Sequence, residues 1–163
     1  MTGVQTCALP ICGKQWVGDV EILYIGRQET RPKNGDLFAM ENVSLAAIAI
    51  AELLASKVLE ARANKLGGST WGAQNKLALH VASGVPVDLF ATTEASWWNY
   101  LICRTGSAAH NITIAERAKQ LGWNWNPYGS GFTKPDGSEA YAIASESDLF
   151  RFLNMEYVEP CDR

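Results

Sequence analysis

From residue 17 to 21 apolar and polar positions alternate, Val17-Gly18-Asp19-Val20-Glu21, and the chain then becomes an unbroken apolar run, Ile22-Leu23-Tyr24-Ile25. A period of two predicts a strand, and the continuous run predicts that one end of it is buried. The same period puts Asp19 and Glu21 on one face. Residues 27–36, with Pro32, Asn34 and Gly35, read as a polar turn region. Over 42–63 Ala and Leu dominate, and Leu45, Ile48, Leu53 and Val58 fall at helical spacings, which predicts one long helix stopped by Gly67-Gly68. Residues 76–80 and 85–91 flank Ser83-Gly84 and read as two strands of a hairpin, with Asp88 the one acid of the second strand.

Beyond Thr92-Thr93 the composition changes, and a subdomain boundary is expected there. A helical stretch over 94–103 carries Trp97, Trp98 and Tyr100, and a second helix over 107–121 ends at Gly122. Residues 124–144, rich in aromatics, Gly and Pro, predict a short hairpin around Pro135-Asp136-Gly137. A last helix over 146–153 opens on Ser145 and Asp148, spaced as a capping-box-like pair. No internal repeat is evident.

Composition narrows the class. With 163 residues, 47% apolar and 19% charged, the chain suits a soluble globular protein with one ordinary core or two small lobes. The longest apolar stretch, around residues 45–55, is too short for a bilayer, which needs about 20 apolar residues. A net charge of -3 gives no overall electrostatic footprint for nucleic acid, so any such binding has to come from local clusters or from bound cations. Cys7, Cys12, Cys103 and Cys161 form no C-x-x-C pair, and neither His80 nor His110 completes a zinc spacing. Both histidines read as structural. Lys57, Arg62, Lys65, Lys76, Arg117 and Lys119 read as solvated faces, with contact to a nucleic-acid backbone as the alternative. Trp97, Trp98, Trp123 and Trp125 read as core, with base stacking as the alternative.

The opening residues are neither signal peptide nor anchor. Residues 2–11 resemble the in-frame translation of a short-read sequencing adapter, so 1–12 are set aside from fold reasoning. The adapter would also supply the first base of codon 12, which makes Cys12 compatible with an original Arg.

Candidate chemistry lies in three acids, Asp19, Glu21 and Asp88. Two acids at i and i+2 point the same way from one strand, and a third from a neighbouring strand completes a cup for two hard cations about 3.5–4 Å apart. An isolated D-x-E is more often a solvated strand face. The motifs around these acids add to the reading. Gly18-Asp19-Val20-Glu21-Ile22-Leu23, then Gly84-Val85-Pro86-Val87-Asp88-Leu89-Phe90, then Arg104-Thr105-Gly106-Ser107 with Asn111 resemble, in order, the motifs of the DNA polymerase beta-like family, family X. The close Glu159-Pro160-Cys161-Asp162-Arg163 is similar to the family's terminal E-P-x-x-R, and the resemblance covers residues 13–163.

That resemblance implies an α+β fold: a nucleotidyltransferase palm, a mixed sheet with flanking helices, over 13–93, followed by a small α+β thumb-type, nucleotide-selecting subdomain over 94–163. It implies Asp19, Glu21 and Asp88 as catalytic metal ligands, with Asp88 helping to activate the primer 3′-hydroxyl. It implies Arg104, Thr105, Gly106, Ser107 and Asn111 as substrate-binding residues, the glycine admitting backbone beside the sugar and Asn111 checking the minor-groove edge of the nascent base pair. Implied cofactors are two Mg2+, with Mn2+ possible. Implied partners are dNTP and DNA, as primer-template or gapped duplex, bound by a monomer with no membrane association, in the cytoplasm of a bacterial or phage-infected cell. The implied activity is DNA-directed DNA polymerisation, in gap-filling repair.

Departures from the pattern matter. Glu21 stands where Asp is usual, Cys103 and Arg104 replace an aromatic pair, and Ala115 stands where an Arg is familiar. Ile11-Cys12 stands where the family's G-S-x-R-R-G segment has its arginines, so the triphosphate grip is expected to be lost and activity to be weak or absent. Two other readings stay open: a minimal nucleotidyltransferase acting on a non-DNA acceptor, and a noncatalytic DNA-binding remnant.

Overall fold

The computed structural model describes Gln5–Cys7 and residues 18–33 and 36–163. Contacts divide these into two compact units, one of Gln5–Cys7 with residues 18–91 and the other of residues 92–163. Gly13 and the Ile11-Cys12 pair lie outside the described residues.

The first unit is built on a five-stranded sheet. Its strands are β1 (Gln5–Cys7), β2 (Val20–Ile25), β5 (Leu59–Ala61), β6 (Asn75–His80) and β7 (Val85–Thr92), ordered β1-β2-β7-β6-β5. Of the residues set aside from the sequence, three thus lie as an edge strand, antiparallel to β2 with Thr6 opposite Ile22. Leu23, Leu59, Ala78, Leu89 and Phe90 are buried on this sheet, where the continuous apolar runs of β2 and β7 require an interior.

Two sequence expectations fail in this unit. Residues 28–33 are not a turn but a strand: β3 (Gln28–Lys33) and β4 (Asp36–Ser44) pair antiparallel, Thr30 opposite Asn42, while Asn34 and Gly35 lie outside the described residues. Every residue of β3 is exposed, so no buried face writes an apolar alternation into Gln28-Glu29-Thr30-Arg31-Pro32-Lys33. The long helix over 42–63 is also wrong. Helix α1 spans only Leu45–Ala55 and buries Ile50, with Ser44 as N-cap accepting from the Ala47 amide at 3.3 Å.

Helix α1 stops without glycine. Lys57 takes the left-handed conformation at φ 59°, its N–H reaches Leu54 O at 3.1 Å, and the Val58 N–H reaches Leu53 O at 3.0 Å. That pattern is a Schellman motif with lysine at the position glycine usually fills. The chain then enters β5. Gly67-Gly68 accordingly stop no helix. They lie in a turn closed by the Ala63–Ser69 bridge, where Asn64 Oδ1 accepts from Leu66 and Gly68 amides at 3.0 and 3.1 Å.

The second unit packs α2 (Trp97–Thr105), α3 (Ala108–Gln120) and α4 (Glu146–Phe152) with a three-stranded sheet of β8 (Asn124–Trp125), β9 (Gly131–Thr133) and β10 (Ala140–Ala142). Ile102, Ile114, Phe132, Leu149, Phe150 and Leu153 form its core, with Trp123 and Trp125 packed against it. Trp98 is 38% exposed and departs from the expected core role. Ser145 caps α4 as its spacing predicts, accepting from the Asp148 amide at 3.0 Å. Asp148 in turn accepts from the Ala144 amide at 3.0 Å and the Tyr141 hydroxyl at 2.9 Å. Burial opposes ionisation of Asp148, but these bonds and Arg151 outweigh it and hold the carboxyl below its ordinary range. The class is α+β.

Candidate active site

Strand β2 begins one residue after Asp19 and carries Glu21, and its sheet neighbour β7 carries Asp88. One ligand oxygen from each of Asp19, Glu21 and Asp88 lies within 4.8 Å of the others. The three acids of the sequence reading are therefore one cluster. Asp19 is exposed, Glu21 half-buried and Asp88 only 7% exposed. Three ionised carboxylates at this separation repel by about 3 kcal/mol per pair at an effective dielectric near 20, and by less where Asp19 meets solvent. Such a cluster persists when cations compensate it. An all-carboxylate donor set with no sulfur or nitrogen suits hard, oxygen-seeking divalent ions such as Mg2+ or Mn2+. The residues fit the cofactor that the sequence implies.

One compensating charge is already in place. Arg62 donates from Nη2 to Asp88 Oδ1 at 2.5 Å. From sequence Arg62 reads as a solvated or DNA-facing cation, but its side chain is only 25% exposed and engages the most buried acid of the cluster. Arg117 is likewise no free surface charge, because its Nε donates to Leu153 O at 2.9 Å. Lys76 Nζ donates to Gly72 O at 2.7 Å.

The second unit holds the other group of sequence-assigned residues. Helix α2 ends at Thr105, and Gly106 follows at φ 68° with its N–H on Ile102 O at 3.1 Å. The Gly106–Ser107 peptide is cis. Ser107 then caps α3, its Oγ accepting from the His110 amide at 3.3 Å. Positive φ at Gly106 explains the residue type independently of any ligand. Asn111, one turn on, donates from Nδ2 to Cys103 O at 2.8 Å and so ties the end of α2 to α3, while its Oδ1 is buried without a hydrogen bond. The same amide nitrogen also reaches Cys103 Sγ at 3.9 Å, so both of its donors face Cys103. Arg104, Thr105, Gly106, Ser107 and Asn111 thus converge on the α2–α3 junction.

Two residues of this junction were not singled out from sequence. Tyr128 lies beneath Arg104, whose guanidinium carbon is 5.7 Å from the ring centroid, and meets Tyr100 edge-on at 5.6 Å. Asn99, wholly buried, fixes the loop that carries Tyr128. It donates to Asn126 O at 2.6 Å and Gly129 O at 2.9 Å and accepts from Trp125 Nε1 at 2.7 Å. The only sequence signal for Asn99 is an Asn within an otherwise apolar helical run. His110 lies tilted against Phe150 with ring centroids 5.6 Å apart, and burial, then the Arg163 charge, lowers its pKa.

Comparison with known proteins agrees with this anatomy. Residues 100–163 match the family model of the DNA polymerase beta thumb. No curated protein matches the sequence. Among solved structures, the chain is similar to polymerase beta of Leishmania infantum, determined as a ternary P/T complex, with a TM-score of 0.70 and 19% identity. The superposition covers 99% of this chain and 67% of that one. Residues 100–163 are similar to the DNA polymerase beta thumb, and the chain as a whole shares its fold with that polymerase beta structure.

Proposed function

We propose that the chain is a DNA-directed DNA polymerase of family X, with residues 13–93 as its palm and residues 94–163 as its thumb-type, nucleotide-selecting subdomain. The observation that carries this reading is the cluster of Asp19, Glu21 and Asp88, with ligand oxygens within 4.8 Å, in a polymerase beta-like fold. In the reaction the primer 3′-oxygen forms a bond to the α-phosphorus of a dNTP, the α–β anhydride breaks, pyrophosphate leaves, and the hydroxyl proton is lost to solvent or a base. Two Mg2+ ions, replaceable by Mn2+, would supply acidification of the 3′-hydroxyl and charge stabilisation of the pyrophosphate. Asp19, Glu21 and Asp88 would hold the ions, and Asp88 would also help to activate the 3′-hydroxyl. Gly106 lets backbone approach the sugar, Asn111 checks the minor-groove edge of the base pair, and Arg104 with Tyr128 borders the nucleotide. We read the protein as a monomer that fills gaps during repair in the cytoplasm.

The test is templated addition by the purified chain on a duplex with a one-nucleotide gap, with Mg2+ or with EDTA. The expected result is slow, divalent-dependent incorporation of the templated nucleotide, slow because Ile11-Cys12 replaces two arginines of the triphosphate grip. Asp88→Ala should lower it by at least about 100-fold, the scale of losing one transition-state-stabilising group. No divalent-dependent addition, or equal rates in Asp88→Ala, refutes the proposal. Loss of untemplated transfer alone would favour a non-DNA acceptor.

A further inference from the structure

We infer that Arg62 is a positioning residue for the metal cup, holding the carboxylate of Asp88 aimed at Asp19 and Glu21. The inference rests on the polymerase reading of that cup and adds a residue to it. Its basis is the register of three strands. Ala61 on β5 lies opposite Ala78 on β6, and the Arg62 N–H continues the ladder to Leu77 O at 3.0 Å. Leu77 in turn lies opposite Asp88 on β7. Arg62, Leu77 and Asp88 therefore form one row across the sheet, and residues in such a row project from the same face.

Asp88 and Arg62 are two strand spacings apart, each about 4.8 Å, a span that a long guanidinium side chain bridges over Leu77. Both arms of the guanidinium are placed: Nη2 on Asp88 Oδ1, and Nη1 on Ala63 O at 3.4 Å. Nε is buried with no hydrogen bond, so the plane is set by the two terminal nitrogens. An ionised carboxylate has roughly four acceptor sites. One bond from Arg62 leaves the others for a cation and a substrate hydroxyl. It fixes the Asp88 rotamer before any cation arrives.

Orientation and charge predict opposite signs, which makes the inference testable. If Arg62 acted only as a nearby positive charge, removing it would tighten cation binding. If it orients a ligand, removing it weakens binding by about 10- to 100-fold, the usual range for residues that hold metal ligands in place. Mn2+ affinity is measured by electron paramagnetic resonance or calorimetry on the purified chain, with circular dichroism as the fold check, for wild type, Arg62→Met, Arg62→Lys, Asp88→Asn and the double variant Arg62→Met/Asp88→Asn.

Arg62→Met should raise the Mn2+ Kd into that range, Arg62→Lys should recover part of the loss, and the double variant should bind no worse than Asp88→Asn alone. Templated addition should show the loss mainly as a higher metal requirement, with kcat at saturating Mn2+ less affected. Should Arg62→Met fail to fold, the Arg62→Lys affinity and its dependence on Asp88 decide the matter. Equal or tighter Mn2+ binding in the folded Arg62 variants overturns the inference while leaving the polymerase reading intact. A wild-type chain that binds no Mn2+, or binds it independently of Asp88, overturns both.

Discussion

Replacing Asn99 by Leu removes the polar anchor of the thumb while keeping side-chain volume nearly constant. Asn99 is 0% exposed and makes three hydrogen bonds, to Asn126 O, Gly129 O and Trp125 Nε1. Asn126 O keeps a second donor, the Gly129 amide at 3.1 Å, so its loss is small. Trp125 Nε1 and Gly129 O are left without their Asn99 partner, and an orphaned buried group costs about 1–3 kcal/mol. Leucine recovers part of this through apolar burial. The expected net destabilisation is about 2–4 kcal/mol, read as a shift in urea midpoint followed by tryptophan fluorescence.

A second substitution at the same position tests the cause. Asn99→Asp keeps the acceptor for Trp125 but turns an acceptor toward two carbonyls, so the introduced carboxyl is favoured in its protonated, donating form and its folded pKa is raised. Its folded state binds more protons than its unfolded state once pH passes the ordinary carboxyl value of about 3.9, so stability falls as pH rises above that point. Asn99→Asp should therefore be closer to wild type near pH 4 than near pH 7. A loss below about 1 kcal/mol for Asn99→Leu, or a pH-independent penalty for Asn99→Asp, would refute the reasoning.

The remaining predictions follow from single contacts. At Gly131 an added Cβ would sit 2.3 Å from Tyr141 O, on the partner strand of the β9–β10 pair, so Gly131→Ala should destabilise by about 1–3 kcal/mol or more in the same urea assay. An unchanged midpoint contradicts this. The His110 pKa is lowered by burial and by Arg163, itself paired with Glu146 at 3.1 Å, so the unfolded chain takes up this proton first as pH falls. Stability should be fully present above about pH 6.5 and decline below it, and His110→Phe should flatten that decline. Equal pH slopes in the two proteins would remove His110 as the cause. The Asp88→Ala and Arg62→Met experiments described above complete the set.

What local pattern could write, the sequence alone supplied. Alternation along 17–25 and the Ser83-Gly84 turn before 85–91 mark the strands that carry Glu21 and Asp88, with Asp19 one residue before the first, and the order of these acids with Thr105-Gly106-Ser107 and Asn111 points to a polymerase beta-like chain. Capping chemistry is equally local, so Ser145 with Asp148 and the stop at Gly122 were legible. Elements without a local signature were not. The fully exposed β3 has no buried face to impose a period, and α1 ends in a Schellman motif built on Lys57, where no glycine announces it. Tertiary structure alone decided the pairings between distant residues. Arg62 and Asp88 are 26 positions apart and meet because two strand registers set them in one row, and Asn99 reaches a loop 27 to 30 positions away. A charge or an amide reads from sequence as surface until the sheet or the core shows what it faces, because burial and register are properties of the assembled chain.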